Sequence, residues 1–311
     1  MRIVFLGSGS FAIPSFEALL AAGHDVVALV TQPDKERGRG RELSPPPMKP
    51  VAEARGVAVM QPRRIKAPEV ELSVRGIAPD VQVVVAYGQI LPGRLIEIPP
   101  MRTVNVHGSL LPRLRGAAPI QWAIAEGHAE TGVTTMLIDE GLDTGPILLA
   151  RRTPIGPTET TAELEPRLAR LGADLLVLTL DGLRDGSIRP RPQDASQATY
   201  APLIGKDDGR LDWNARADAL ARRVRAFQPW PGTYTSLAGR GLKVLEAAPD
   251  PRPHQARPGS VLGIEKNGVL VACGESTTLR LLRVQPESRR AMEAFAFATG
   301  SRLTAGPCFE P

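Results

Sequence analysis

The 311-residue chain is long enough for two domains, and its 42% hydrophobic and 23% charged residues are ordinary for a globular protein. No apolar run approaches the roughly 18 residues that a membrane span needs, and the first strand begins too early for a signal or transit peptide, so a cytoplasmic location is expected. Two distant cysteines and four scattered histidines match no disulfide or metal-binding spacing, so no metal is expected.

The formal net charge of +5 is unevenly distributed along the chain. Residues 1–200 carry 22 basic and 22 acidic side chains, whereas residues 201–311 carry 16 basic and 11 acidic ones. A basic accessory domain beside a neutral one fits a polyanionic partner. An Arg-rich proteome would produce the same excess, so the charge alone leaves both explanations open.

The N-terminal segment predicts the start of a parallel α/β sheet. A buried strand at residues 2–7 leads into a helix at 14–22, and a second strand follows at 26–31. Residues 7–12 also approach the dinucleotide pattern G-x-G-x-x-G/A, with Asp34 near the end of the second strand. That pattern is weak, but it keeps a nicotinamide-dependent oxidoreductase as an alternative function.

A segment rich in Gly, Arg and Pro follows at residues 33–49, and its composition predicts an exposed loop. Three acidic side chains stand against five basic ones, which are Lys35, Arg37, Arg39, Arg41 and Lys49. On composition alone, a solvated surface loop is the favoured interpretation.

Polar side chains then gather near the ends of two predicted strands. The near-continuous apolar run at residues 81–87 indicates a strand buried on both faces, and in the strand at 101–107 period-2 alternation places Asn105 and His107 on one face. Asp143 follows in a Gly-Leu-Asp-Thr-Gly segment. Open α/β sheets bind ligands where strands end, so these three side chains could serve one reaction. A histidine beside an asparagine at a strand end is nevertheless more often structural than catalytic.

The remaining chain predicts a second, β-rich domain. Helices are expected at residues 119–126 and 160–182, and a Pro- and Arg-containing connector follows at 187–194. A helix at 215–227 carries Arg222, Arg223 and Arg225, and five short β runs after it suggest a small barrel. The expected division is a catalytic domain at 1–188, a linker at 189–206 and a second domain at 207–311. For residues 288–311, a loose tail is an alternative to packed structure.

Two ordered strings in this chain closely resemble the 10-formyltetrahydrofolate-dependent formyltransferase family. The first is Asn-Val-His-Gly-Ser-Leu-Leu-Pro-Arg-Leu-Arg-Gly-Ala-Ala-Pro-Ile-Gln at 105–121, and the second is Ile-Asp-Glu-Gly-Leu-Asp-Thr-Gly at 138–145. The resemblance implies an α/β fold with a doubly wound, Rossmann-like formyltransferase domain, followed by a small barrel like the oligonucleotide-binding (OB) fold. It is greatest to members that formylate the methionine α-amino group of initiator methionyl-tRNA. One departure is Gly-Ser-Gly at 7–9, where the family usually has Gly-Thr-Pro.

The resemblance implies that Asn105, His107 and Asp143 are the catalytic residues. Formyl transfer to an amine requires a group that stabilises an oxyanion and a group that moves a proton. The neutral amide of Asn105 suits the first task, and the imidazole of His107 suits the second because it exchanges a proton near neutral pH. The carboxylate of Asp143 can orient the imidazole or hold a water that relays the proton.

The resemblance also implies that 10-formyltetrahydrofolate is the formyl donor and is held largely by loop backbone. An apolar slot lined by main-chain polar groups suits a flat heteroaromatic ring. The implied folate-binding residues are Tyr87, Gly88, Gln89, Ile90, Leu91, Ile138, Asp139 and Glu140, with the active-site loop Ser109, Leu110, Leu111 and Pro112. From sequence alone, Tyr87-Gly88 is equally an ordinary strand exit, and Leu110 and Leu111 are interpreted mainly as packing residues.

The resemblance implies a specific role for the loop at residues 33–49, instead of that of a solvated surface loop. Its Gln-Pro-Asp-x-x-x-Gly-Arg-Gly pattern is like the inserted loop with which tRNA-dependent members of the family hold the acceptor stem, and Arg39 would enter that stem. Binding of tRNA is then expected from Lys35, Arg37, Arg39 and Arg41, and from Arg222, Arg223 and Arg225 in the second domain. The chain is expected to act as a monomer. A tRNA-binding protein with an inactive enzyme core is the other alternative, although the intact Asn, His and Asp argue against it.

Overall fold

The computed structural model describes residues 1–37 and 42–310. Contacts divide the chain into two compact units, and neither is continuous in sequence. The first unit contains Met1–Pro119, Glu130–Pro154 and Glu165–Ala201, and the second contains Ile120–Ala129, Ile155–Leu164 and Pro202–Pro311. The segment predicted as a linker therefore lies in the first unit as far as Ala201, and the domain limits drawn from the sequence stay a prediction.

Alternating strands and helices make up most of the first 201 residues, because parallel strands can be joined only by long crossover connections. In chain order the elements are β1 (Arg2–Gly7), α1 (Ile13–Ala21), β2 (Asp25–Val30), β3 (Lys35–Arg37), β4 (Glu42–Ser44), α2 (Met48–Ala54), β5 (Ala58–Met60), α3 (Pro68–Ile77), β6 (Val81–Val85), α4 (Gly93–Ile96), β7 (Thr103–His107), β8 (Arg115–Gly116), α5 (Pro119–Ala125), β9 (Glu130–Leu137), β10 (Ile147–Pro154), α6 (Thr161–Arg184) and β11 (Tyr200–Ala201).

The main sheet of the first unit has the strand order β10-β9-β7-β6-β1-β2-β5. Strands β5, β2, β1, β6 and β7 are parallel to one another. Strand β9 pairs antiparallel with β7, and β10 pairs antiparallel with β9. The chain builds outward from β1 in both directions, which is the doubly wound arrangement, so this prediction is confirmed. All five residues of β6 are buried, in agreement with the apolar run in its sequence.

Helix α6 is the longest helix that the structure describes, with 24 residues. The helical spacing of apolar residues predicts a core-facing stripe of Leu164, Leu168, Leu171, Leu175 and Leu178, and of these Leu164, Leu168 and Leu175 are buried. Leu178 also fits the predicted apolar stripe, but it is 50% exposed. Within the described part of the chain, no helix combines the length and apolarity that crossing a bilayer requires.

The second unit is built on an antiparallel sheet with the order β14-β15-β16-β13-β12-β18, and β17 pairs with β16. Trp213 lies in its core, 5.7 Å from the ring of Phe309, and its indole N–H donates to Thr235 Oγ1 at 3.1 Å. The elements are α7 (Ala217–Ala226), β12 (Thr233–Leu237), β13 (Arg240–Asp250), β14 (Val261–Glu265), β15 (Gly268–Ala272), β16 (Thr278–Pro286), β17 (Met292–Glu293), α8 (Ala294–Gly300) and β18 (Phe309–Glu310).

Residues 306–310 join the two outer strands of this sheet. Cys308 forms an antiparallel bridge with Ser260, which directly precedes β14, while Phe309 and Glu310 pair with β12 at the other edge. The sheet therefore curls round on itself, and the predicted OB-like domain is confirmed. The loose tail left open from the sequence is not observed, because residues 292–310 form β17, α8 and β18.

Candidate active site

His107 and Asp143 come together at the end of β7. The imidazole Nδ1 atom lies 3.6 Å from Asp143 Oδ2, and the two side chains are 6% and 18% exposed. On the other side of the ring, Nε2 lies 2.9 Å from the carbonyl oxygen of Leu114. The imidazole is thus held between a backbone carbonyl and a carboxylate.

This arrangement determines which nitrogen of His107 can exchange a proton. A carbonyl oxygen only accepts hydrogen bonds, so Nε2 must carry the hydrogen that it donates to Leu114. In the neutral ring, Nδ1 is then the unprotonated atom, and it faces Asp143. A gained proton would be placed at Nδ1, where the carboxylate stabilises the resulting positive charge.

Asn105 lies two residues before His107 on the same face of β7. It pairs with Val84 of β6 and Met136 of β9, which are both buried. Asn105 itself is partly exposed, and its side-chain amide forms no hydrogen bond with any residue of the described ranges 1–37 and 42–310. Its NH₂ group is therefore available as a neutral donor to a bound ligand.

Two contacts fix the position of Asp143. The backbone N–H of Gly116 donates to Asp143 Oδ2 at 2.8 Å, and the side-chain NH₂ of Gln193 donates to the Asp143 carbonyl oxygen at 2.8 Å. Asp143 has a φ of +52°, a left-handed conformation that aspartate adopts more readily than most residues. No pattern in the sequence indicates the involvement of Gln193.

Replacing Gly116 with Ala is expected to displace the carboxylate of Asp143 and to lower activity. Gly116 has a φ of +117°, and a Cβ there would lie 2.6 Å from the Ala201 carbonyl oxygen, so the backbone must move. Strain of this kind costs about 1–3 kcal/mol. Steady-state rates and thermal unfolding would be compared with Gly56→Ala, which has a φ of +69° and no atom within 4 Å of the new Cβ. Equal activity of the two variants would contradict the assigned role of the Gly116 N–H.

The active-site loop after β7 is fastened to β9 by Thr134. Thr134 Oγ1 donates to the Ser109 carbonyl oxygen at 2.7 Å and accepts from the Leu111 N–H at 3.1 Å. Leu110 packs so closely over Gly132 that a Cβ on that glycine would lie 2.5 Å from it. Leu111 is buried, so the side chains of this loop serve packing as predicted, while the partly exposed Pro112 follows them.

The loop after β6 offers main-chain groups for a ligand. The phenol of Tyr87 is buried, which raises its pKa to about 12, and the Tyr87 carbonyl oxygen accepts from Ser8 and Gln32 side chains. By contrast, the backbone N–H and C=O groups of residues 88–90 form no hydrogen bond with the parts of the chain described here. Gly88 has a φ of +87°, a backbone conformation that glycine adopts without a steric penalty.

The other predicted folate residues fall into two groups. Leu91 is buried in the core, and the Gln89 side chain accepts from the Ile65 N–H at 2.9 Å, so both stabilise their own loop. In the loop after β9, the Asp139 carboxylate accepts from the Gly141 N–H and the Thr144 hydroxyl, whereas Glu140 is exposed and Ile138 is partly exposed. The side chain of Asp139 is therefore occupied in a turn, which leaves its backbone for any ligand.

The residues that suggest a dinucleotide site have packing and hydrogen-bonding roles within the first unit. A Cβ on Gly7 would lie 2.7 Å from the ring of Phe5 and 3.0 Å from the Val85 carbonyl oxygen, so packing requires the glycine. The Asp34 carboxylate accepts from Gln61 at 2.6 Å and from Lys49 at 2.9 Å, and these bonds hold its pKa below the ordinary value. Asp34 is thus already paired.

The predicted tRNA-binding arginines of α7 each have partners inside the second unit. Arg222 donates to Asp218 at 2.8 Å, Arg223 donates to the Asp208 carbonyl and lies over the ring of Phe227, and Arg225 donates to the Glu159 carbonyl. Burial lowers the pKa of Arg225. Lys35 is exposed on β3, where Arg37 is the last residue, and Arg39 and Arg41 lie outside the described residues. Contact of these residues with tRNA stays a prediction.

Comparison with known proteins identifies the family. Residues 1–180 match the family model described as formyl transferase, and residues 203–302 match its C-terminal domain. A methionyl-tRNA formyltransferase of Solibacter usitatus is 51% identical over 98% of this chain and 97% of its own length, and one of Myxococcus xanthus is 51% identical over 98% and 96%. The chain belongs to the methionyl-tRNA formyltransferase family.

Solved structures support the same fold at low sequence identity. An N-formyltransferase from Helicobacter canadensis, in complex with folinic acid and dTDP-3-aminofucose, has a TM-score of 0.65 at 15% identity and covers 92% of this chain and 99% of its own. HypX from Aquifex aeolicus, in complex with tetrahydrofolic acid, has a TM-score of 0.64 at 17% identity over 96% of this chain, which spans 47% of HypX. Membership of the methionyl-tRNA formyltransferase family confirms the family predicted from the sequence and sets aside the nicotinamide-dependent alternative.

Proposed function

We propose that this chain transfers the formyl group of 10-formyltetrahydrofolate to the methionine α-amino group of initiator methionyl-tRNA. The observation that carries the proposal is the position of His107 between Asp143 and a backbone carbonyl. The amide of Asn105, which has no hydrogen-bond partner among the described residues, lies on the same strand face. A neutral donor beside a proton-exchanging group is what acyl transfer to an amine requires.

In this proposal Asn105 and His107 divide the work. The Asn105 NH₂ donates to the oxygen that becomes negatively charged when the amine attacks the formyl carbon, a contact worth about 3 kcal/mol in a dry site. His107 Nδ1 takes up the proton that the attacking nitrogen loses, since Nε2 is engaged by Leu114. It returns this proton to N10 of the folate when the bond between the formyl carbon and N10 breaks, which releases tetrahydrofolate. Asp143 holds the protonated ring through its charge, and its oxygen stays in place because the Gly116 N–H binds it.

The folate would lie against the loops that follow β6 and β9. The backbone groups of residues 88–90 have no partner in the part of the chain that the structure describes, and they suit the ring edge of a pterin, which presents both donors and acceptors. Ile90 is 70% exposed and Leu142 is 56% exposed in these two loops, so apolar surface for the rest of the molecule is available beside the polar groups. The proposed fit is therefore one of main-chain hydrogen bonds with apolar cover.

For the tRNA, the second unit offers a row of side chains that is separate from α7. Arg210 forms an isolated parallel β-bridge with Tyr234. Tyr234 pairs with Lys243 on the next strand, and Lys243 pairs with Gln285 on the strand after that. Residues paired across strands share a face, so these four side chains project from one face of the sheet. Thr233 and Thr235 on the opposite face are buried, hence this face is the outer one. Exposed cations beside an aromatic ring suit phosphates and unstacked bases. We place tRNA contacts on this row.

Lys243→Glu is accordingly expected to raise the KM for charged tRNA by about an order of magnitude and to leave the KM for the folate unchanged. Loss of one phosphate contact should also reduce the slope of log(kcat/KM) against log salt by about 1. Lys266→Glu is the matched control, because Lys266 is exposed in the turn between β14 and β15, at the other end of the strand order. Equal effects of the two substitutions would remove the row from the interface.

The reaction itself is tested with purified protein, 10-formyltetrahydrofolate and methionine-charged initiator tRNA, with charged elongator methionine tRNA as the competing acceptor. Formylmethionine on the initiator alone would support both the reaction and the acceptor. Folate turnover with an amino-sugar nucleotide or water, without formylation of either tRNA, would retain the catalytic site and refute the acceptor. A cytoplasmic monomer is part of the proposal, and gel filtration at assay concentration tests the oligomeric state.

A further inference from the structure

Arg115 is a buried cation close to the candidate active site that has not been given a role. It is 4% exposed, and within residues 1–37 and 42–310 no carboxylate forms an ion pair with it. Its Nε and Nη2 atoms both donate to one oxygen, Gln193 Oε1, at 3.1 and 2.7 Å. A buried guanidinium is normally compensated by a carboxylate, so the pairing of Arg115 with the neutral amide of Gln193 needs an explanation.

The other end of the same amide supplies that explanation. Gln193 Nε2 donates to two backbone carbonyls at once, those of Asp143 at 2.8 Å and Gly145 at 2.7 Å. Only a side chain with an acceptor and a two-hydrogen donor can connect a guanidinium to a pair of carbonyls. A carboxylate would satisfy Arg115 but would repel both carbonyl oxygens.

The segment around Gln193 also supports the partner of His107. Thr199 Oγ1 accepts from the Leu114 N–H at 2.9 Å, and the Thr199 carbonyl accepts from the Arg115 N–H at 2.8 Å. Leu114 has a φ of +58°, a conformation that a bulky residue keeps only when its surroundings impose it. Both groups that face the imidazole, the Leu114 carbonyl and the Asp143 carboxylate, are therefore on loops held by residues 193–199.

We propose that Gln193 is a positioning residue for formyl transfer, which transmits the fixed position of Arg115 to the Asp143 loop so that the carboxylate faces His107 Nδ1. This inference rests on the proposed function. Gln193 does not touch the reacting atoms, and its effect is expected in the chemical step rather than in the binding of either substrate. A displacement of about 1 Å in a catalytic group can lower a rate by roughly 100-fold.

Two substitutions separate this role from a merely structural one. Gln193→Glu keeps the shape and the acceptor for Arg115 but loses both donors to the loop, whereas Gln193→Met loses the acceptor as well. Both are expected to lower kcat by about 10- to 100-fold with both KM values within about twofold. The control with unchanged kinetics is Gln197→Glu, at an exposed glutamine of the same segment whose side-chain amide donates to Asp194 at 3.2 Å.

A second measurement keeps the inference testable if one variant folds poorly. In Gln193→Met, a crystal structure should show the Asp143 carboxylate moved away from His107 Nδ1, from which its Oδ2 atom lies 3.6 Å in the unsubstituted chain. Gln193→Glu with normal kcat and Gln193→Met with low kcat would overturn the inference, since the residue would then only satisfy Arg115. If the unsubstituted chain itself transfers no formyl group, the proposed function has failed and not the role of Gln193 alone.

Discussion

Asn105→Asp is expected to lower kcat for formyl transfer by more than the 10²- to 10³-fold that removal of one oxyanion donor costs. Aspartate has the same shape as asparagine, but it replaces the NH₂ donor with a negatively charged oxygen at the position where negative charge develops. The order of kcat should therefore be wild type, then Asn105→Ala, then Asn105→Asp. Initial rates at saturating folate and charged tRNA measure this order.

The matched control for this prediction is Asn267→Asp. Asn267 is exposed, and its side-chain oxygen accepts from Arg280, a bond that aspartate retains. A kcat of Asn105→Asp equal to or above that of Asn105→Ala would show that Asn105 does not stabilise an oxyanion. In that case no negative charge would develop beside residue 105 to be repelled by the added carboxylate.

His107→Gln is expected to lower kcat by about 10²- to 10⁴-fold, the usual contribution of a general acid or base. The glutamine NH₂ group can still donate to the Leu114 carbonyl as Nε2 does, so the loop keeps this support. It cannot exchange a proton on the side that faces Asp143. The variant therefore tests proton transfer rather than loop structure, and its folate KM should stay close to that of the wild type.

His128→Gln serves as the control for this substitution. His128 is 27% exposed and pairs with Glu126 in the second unit, and no role in the reaction is assigned to it. If His107→Gln retained more than a tenth of the wild-type kcat, His107 would be a structural residue, and another group would have to accept the proton.

The strand that carries the catalytic candidates was predictable because its residues follow a simple rule. Alternation along β7 places Asn105 and His107 on one face, and the apolar sequence of β6 indicates a strand buried on both sides. Both patterns depend only on which face of a single strand each side chain occupies and on whether that face is buried. For Asp143, the strand-end rule predicted only that it could serve the same reaction, and its role beside His107 was implied by the resemblance to the family.

The hydrogen-bond partners of the arginines could not be predicted because they depend on contacts distant in sequence. Arg222, Arg223 and Arg225 form a dense basic cluster in the sequence, yet their guanidinium groups bind carbonyls or carboxylates at positions 125, 159, 208 and 218. Arg115 and Gln193 are 78 residues apart, and the connector that contains Gln193 has no periodicity to indicate a packed segment. Periodicity predicts burial of apolar groups, but it carries no information on the partners of buried polar groups.

The closure of the second unit by residues 306–310 has a consequence for how the chain folds. Thr235 reaches Glu310, 75 residues further on, and Cys308 reaches Pro258, 50 residues back. Until those last pairings form, β12 and β14 are open edges whose unpaired backbone groups can bind strands of other molecules. A chain in which this segment has not yet paired would therefore expose both edges of the second unit to aggregation.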